Sequence, residues 1–175
     1  KSQADLMQQR SGIDNHYKLF FPEHGQARAD LDQRAFDKIM HEYDHLLEQE
    51  GRQALAWETI LQARQLLEGS GNTNPTLWAY VLDRQRFISY ELQDWDNNLA
   101  VCEEAVRQLS TVSLWAYLPE HNVIRSALRA ALHQLGNAPL EIKEDPIEAE
   151  IIQAVEYIWK ALQLVGLTEN QSETW

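Results

Sequence analysis

A chain of 175 residues, 44% hydrophobic and 24% charged, has room for one folded domain or one short array of repeats, and its seven glycines and five prolines leave little for long loops. A net charge of −12 repels nucleic acid and anionic membranes and favours another protein, a basic one, as partner; no apolar run is long enough to cross a bilayer. The single cysteine, Cys102, excludes an internal disulfide framework and fits a reducing, cytoplasmic setting.

The elements read in chain order as follows. Residues 1–27 include "SGIDNHYKLFFPEHG", whose Tyr17, Leu19, Phe20 and Phe21 have no helical period; the segment reads as an arm or a cap folded over one end of the domain. From Arg28 to Glu50 the residues Leu31, Ala35, Phe36, Ile39, Met40, Tyr43, Leu46 and Leu47 recur at helical spacing, and Gly51 ends the helix. A second helix follows over 52–68, with Leu55, Ile60, Ala63, Leu66 and Leu67 expected inward. "GSGNTNP" is the clearest break. Asn74 caps a third helix with Pro75 in its first turn, where a missing N–H costs nothing.

That third helix is expected to run to about Leu92 with Trp78, Val81, Leu82, Ile88 and Leu92 inward, and Asp94 caps a fourth, "WDNNLAVCEEAVRQLS". "VSLWAYL" predicts a short helix broken at Pro119. The next segment puts Val123, Ile124, Ala127, Leu128, Ala131, Leu132 and Leu135 on one side, with Gly136 as its stop. Asp145, Pro146 and Glu148 predict a capping-box start for a last helix reaching about Val165, before a tail over 168–175. No segment alternates as a strand does. The fold class is all-α, with one helical domain over 28–167.

One hexamer carries a chemical signal. His41, Glu42 and His45 spell H-E-x-x-H, in which one helical face offers two imidazoles to zinc and a carboxylate to a water. "HEYDHL" also resembles the metal-binding segment of peptide deformylases. That resemblance implies an upstream metal-binding cysteine and a sheet, whereas Cys102 lies downstream and no strand is predicted. The apolar stripe of this helix centres between Ile39 and Tyr43, so both histidines fall on the opposite, solvent side. Glu68 is the one third donor at a plausible spacing, beside a helix end. A catalytic zinc helix buries its ligands. The reading is therefore two solvated histidines, with no metal, no cofactor and no catalytic residue.

A looser pattern spans more of the chain. "GRQALAWETILQARQLL", "QDWDNNLAVCEEAVRQL" and "AEIIQAVEYIWKALQL" superpose without gaps: Ala56, Asn98 and Ala154 stand seven before Ala63, Ala105 and Ala161, with Ile60, Cys102 and Ile158 between. This resembles the second helix of a tetratricopeptide repeat, where small residues let a neighbouring helix approach. The resemblance covers about residues 37–165, with unequal spacings and Asn98 in place of an alanine. It implies antiparallel helix pairs stacked as a short right-handed array; the alternative is an irregular helical bundle.

In such an array the first helix of each pair lines the recognition surface. The residues expected to meet a partner are then Lys38, His41 and His45 in the first pair, with Tyr80, Arg84 and Phe87 in the next, an aromatic–Arg–aromatic face of the kind binding hot spots favour. Since imidazoles in general change charge between about pH 5 and 8, a partner carrying carboxylates would be held more tightly as pH falls. The expected function is non-enzymatic protein binding. Small acidic proteins of this build serve as dedicated chaperones, adaptors or toxin-neutralising immunity proteins, an analogy of fold only. The alternatives are a structural bundle that self-associates as a homo-oligomer and the zinc hydrolase.

Overall fold

The computed structural model describes residues 30–112, 121–142 and 144–172, and among them the regular structure is six α-helices with no strand. The helices are α1 (Gln33–Leu47), α2 (Gln53–Ser70), α3 (Pro75–Glu91), α4 (Trp95–Leu109), α5 (His121–Ile142) and α6 (Glu148–Ser172). The arm or cap read over 1–27, the short helix read before Pro119 and the last three residues lie outside the described residues. No helix among the described residues is long and apolar enough to cross a membrane.

Local chemistry sets several of the helix ends. The Asp32 carboxylate accepts the Ala35 N–H at 3.0 Å, so α1 begins at Gln33 instead of Arg28, and it ends at Leu47, short of Glu50. Asn74 accepts the N–H groups of Thr76 and Leu77 above Pro75 at the start of α3, and Asp94 accepts that of Asn97 at the start of α4. The C-terminus of α2 closes on Gly71 at φ +62°, with the Asn72 N–H donating to the Leu67 carbonyl at 2.9 Å, a Schellman closure that needs a left-handed residue. The same closure ends α3, but Gln93 stands in the glycine's place at φ +54°.

Packing follows chain order: each helix lies against the next, and α3 also touches α5. Two buried clusters result. One joins Phe36, Tyr43 and Leu46 of α1 to Ala56, Ile60, Ala63 and Leu67 of α2 and to Val81 and Ile88 of α3. The other joins Ala79 and Leu82 of α3 to Cys102, Ala105 and Leu109 of α4 and to the Ile124–Leu135 side of α5. Trp57 and Trp78 pack on both, so the two clusters make one continuous interior.

Four expectations need correction. Leu55 is 46% exposed, and Ala56 and Thr59 take inward places beside Ile60, Ala63 and Leu67; α2 lies between α1 and α3, and Leu55 falls outside that seam. Leu92 is also exposed, while Ala79, Gln85 and Ser89 complete the buried side of α3. Gly136 is not a stop: α5 continues through it and through Pro139 to Ile142. The reason lies in α6. A Cβ built on Gly136 would fall inside the Ile158 side chain and 3.1 Å from the Ala154 carbonyl oxygen, so the glycine lets two helices touch. Finally, α6 starts at Glu148 and runs past Val165 to Ser172; the reciprocal capping bond is made by Glu150, which accepts the Ile147 N–H at 3.1 Å.

Candidate protein-binding face

The α3 residues Tyr80, Arg84 and Phe87 lie within about 60° of one another around the helix axis, and the structure joins that stripe to α1 through a single side chain. The Arg84 Nε and Nη2 donate to the two carboxylate oxygens of Asp44, each at 3.1 Å. The same guanidinium lies 5.8 Å from the Tyr43 ring centre and 5.5 Å from that of Tyr80. The Tyr43 hydroxyl in turn donates to the Arg84 carbonyl at 3.0 Å. Tyr43 is fully buried, and burial pushes its phenol pKa up, opposed in part by the Arg84 charge.

Arg84 is thus held on three sides, half-buried, with its charge matched by Asp44. Tyr80 and Phe87 on either side of it remain 38% and 41% exposed. On α1, Lys38, His41 and His45 are all exposed; His41 is one helical turn before Asp44, and His45 is followed at 3.9 Å by the Glu48 carboxylate. The predicted set therefore forms two adjoining strips. One is aromatic and rigid, the other polar and wet, and Asp44, which sequence reading did not single out, is the link between them.

His41, Glu42 and His45 are exposed, Glu68 is bound by Arg64 at 2.7 Å, and among the described residues no three His, Cys, Asp or Glu side chains are grouped so as to hold a metal ion. Cys102 is buried in α4, and burial pushes its thiol up to about 12, away from nucleophilic use at neutral pH.

A second surface was not anticipated. On α6, Ile151, Ile152, Val155, Trp159 and Leu162 are 45–63% exposed, together with Ile147 at 64% just before it. Ile151, Val155, Trp159 and Leu162 border an apolar groove whose other wall is Gly136, Asn137 and Pro139 of α5. The signal was legible in "AEIIQAVEYIWKALQL", whose apolar residues cover about two thirds of the helix circumference, with Gln153, Glu156, Lys160 and Gln163 on the rest, a wider stripe than one neighbouring helix covers. No protein-family model matches the chain, and comparison with characterised proteins and with solved structures finds no match either.

Proposed function

We propose that this chain is a non-catalytic protein-binding module of tetratricopeptide-like build, holding a protein partner against the strip Tyr80–Arg84–Phe87 and the neighbouring α1 surface. The observation that carries this reading is the fixed Arg84. Its guanidinium is already oriented by Asp44, Tyr43 and Tyr80, so a partner stacking on Tyr80 and Phe87 would not have to order it. Preorganised aromatic–Arg surfaces lose less side-chain entropy on binding than mobile ones.

Ala56, Ala63, Asn98, Ala105, Ala154 and Ala161, the small-residue positions of the three aligned helices, are all buried in α2, α4 and α6. The chain's charge of −12 would steer a basic partner toward the surface, and the aromatic contacts would then set the lifetime of the complex.

The test is affinity capture from the native host with the wild-type chain and with Tyr80→Ala/Phe87→Ala, whose exposed side chains can be removed without opening the interior. A captured protein whose recovery falls at least tenfold with the double substitution supports the reading. Capture that is indifferent to both substitutions rejects it.

A further inference from the structure

The geometry points to a homodimer built on α6: we infer that two copies of this chain pair antiparallel through Ile151, Ile152, Val155, Trp159 and Leu162, about a two-fold axis passing near Val155. None of these residues belongs to the Tyr80–Arg84–Phe87 strip, so the inference stands independently of the proposed function.

Extent is the first argument. Ile147 and the five α6 side chains, 45–64% exposed, together offer on the order of 700 Å², more than the roughly 300–600 Å² of the largest apolar patch on an ordinary monomer and close to the roughly 800 Å² that each side of a stable interface contributes. Such a surface needs a cover of its own size and character. An identical surface is one.

Symmetry is the second argument. A two-fold interface must be self-complementary. The stripe is balanced about Val155, with Ile151 four residues before it and Trp159 four after. Antiparallel pairing centred there lays each Trp159 on the other copy's Ile151 and seats each α6 beside the other's groove, floored by the close approach of α5 and α6 at Gly136. Two α5–α6 pairs then form one four-helix layer, and α6, packed on α5 along one side, acquires a neighbour on the other.

Charge is the third. The side chains of the stripe are themselves uncharged, and Glu156 stands at its rim beside Val155. The stripe's ends differ in sign, with Glu148 at one and Lys160 at the rim of the other. Antiparallel pairing brings each Glu148 end to a Lys160 end, whereas parallel pairing would stack like charges. The chain's overall charge of −12 opposes association at long range, so the dimer should tighten with added salt.

Sedimentation equilibrium of the full chain over a concentration series tests this. The expected result is a monomer–dimer equilibrium, with Val155→Glu raising the dissociation constant at least about 100-fold while helix content by circular dichroism is unchanged; should Val155→Glu lose helix, Ile152→Lys serves instead. Lys160→Glu should weaken the dimer, and Glu148→Lys added to it should restore most of the loss, since in a two-fold pairing one chain carries both halves of each contact. A monomer up to roughly 100 µM overturns the inference, as does a dimer indifferent to Val155→Glu and Ile152→Lys. A monomer in which Trp159 is nonetheless shielded from a soluble fluorescence quencher overturns it too, in favour of a cover from elsewhere in the same chain.

Discussion

The Arg64 guanidinium of α2 grips both carboxylate oxygens of Glu104 on α4, at 2.8 and 2.9 Å, from two helices away. Its Nε donates to Glu68 at 2.7 Å, and its charge lies 5.8 Å from the Trp78 ring centre. Burial alone would favour loss of the Arg64 proton, but the Glu104 and Glu68 carboxylates outweigh it and its pKa is raised. With 23% and 16% of the two side chains exposed, this pair ties α2 to α4 across α3. Arg64→Met should destabilise the fold by about 3 kcal/mol, because two carboxylates are left without their cation, and Arg64→Met/Glu104→Met should recover much of it. Urea unfolding of the double-mutant cycle measures the coupling. A coupling near zero would mean that water screens the pair.

Gly136→Ala gives a prediction whose sign opposes helix propensity. In an ordinary helix interior the change stabilises by up to about 1 kcal/mol. Here the new methyl would overlap Ile158, so a loss of roughly 1–3 kcal/mol is expected. Ile158→Val beside it should return part of that loss. A stabilised Gly136→Ala by thermal melting would show that α5 and α6 are not in contact at this point.

Gln93 holds a left-handed conformation at φ +54° where α3 hands over to α4. A glycine adopts that conformation without the Cβ clash and at a smaller net cost, so Gln93→Gly should stabilise the chain by roughly 0.5–1 kcal/mol. Gln93→Ala, which keeps a Cβ, should be close to neutral. Thermal melts of the pair decide it: equal stability would mean that the turn relaxes.

Alkaline pH should weaken the fold through Cys102. Burial raises the thiol from 9.0 to about 12, helped by Asp83 and Glu103 and opposed by Arg86. The folded chain therefore keeps a proton that the unfolded chain releases. The stability this contributes is full below pH 9 and is lost as pH rises toward 12. Tyr43 is shifted in the same direction and adds to the loss at higher pH. Cys102→Ala should flatten the fall of stability across that window by up to about 1.4 kcal/mol per pH unit. Identical slopes for the two chains would show that the thiol is solvated.

How much of this was legible depends on the reach of the signal. Asn74 with Pro75, and Asp94, set helix starts through bonds spanning two or three residues, so reading along the chain found them. The stripe Val81, Leu82 and Ile88 was legible because its period is helical and its cover is deep. Leu55 misled because periodicity marks an apolar side without saying how closely a neighbour approaches; the seam took Ala56 and left the leucine outside. Asn98 looked like a flaw in a run of small residues. In the fold it is fully buried and donates to the Arg86 carbonyl at 2.9 Å and to the Ser89 hydroxyl at 3.2 Å, tying α4 to α3.

The amino-acid order by itself determined an all-helical chain, its principal caps and its acidic character, because each of these rests on the residue and its neighbours within a turn. Tertiary structure alone decided that Arg84 would be locked to Asp44 forty residues away, that Gly136 would be a contact and not an end, and that α5 would leave an apolar side of α6 uncovered. Those outcomes depend on which helix lies next to which. Among the described residues α6 packs chiefly on α5, and no local pattern records which of its sides that neighbour takes.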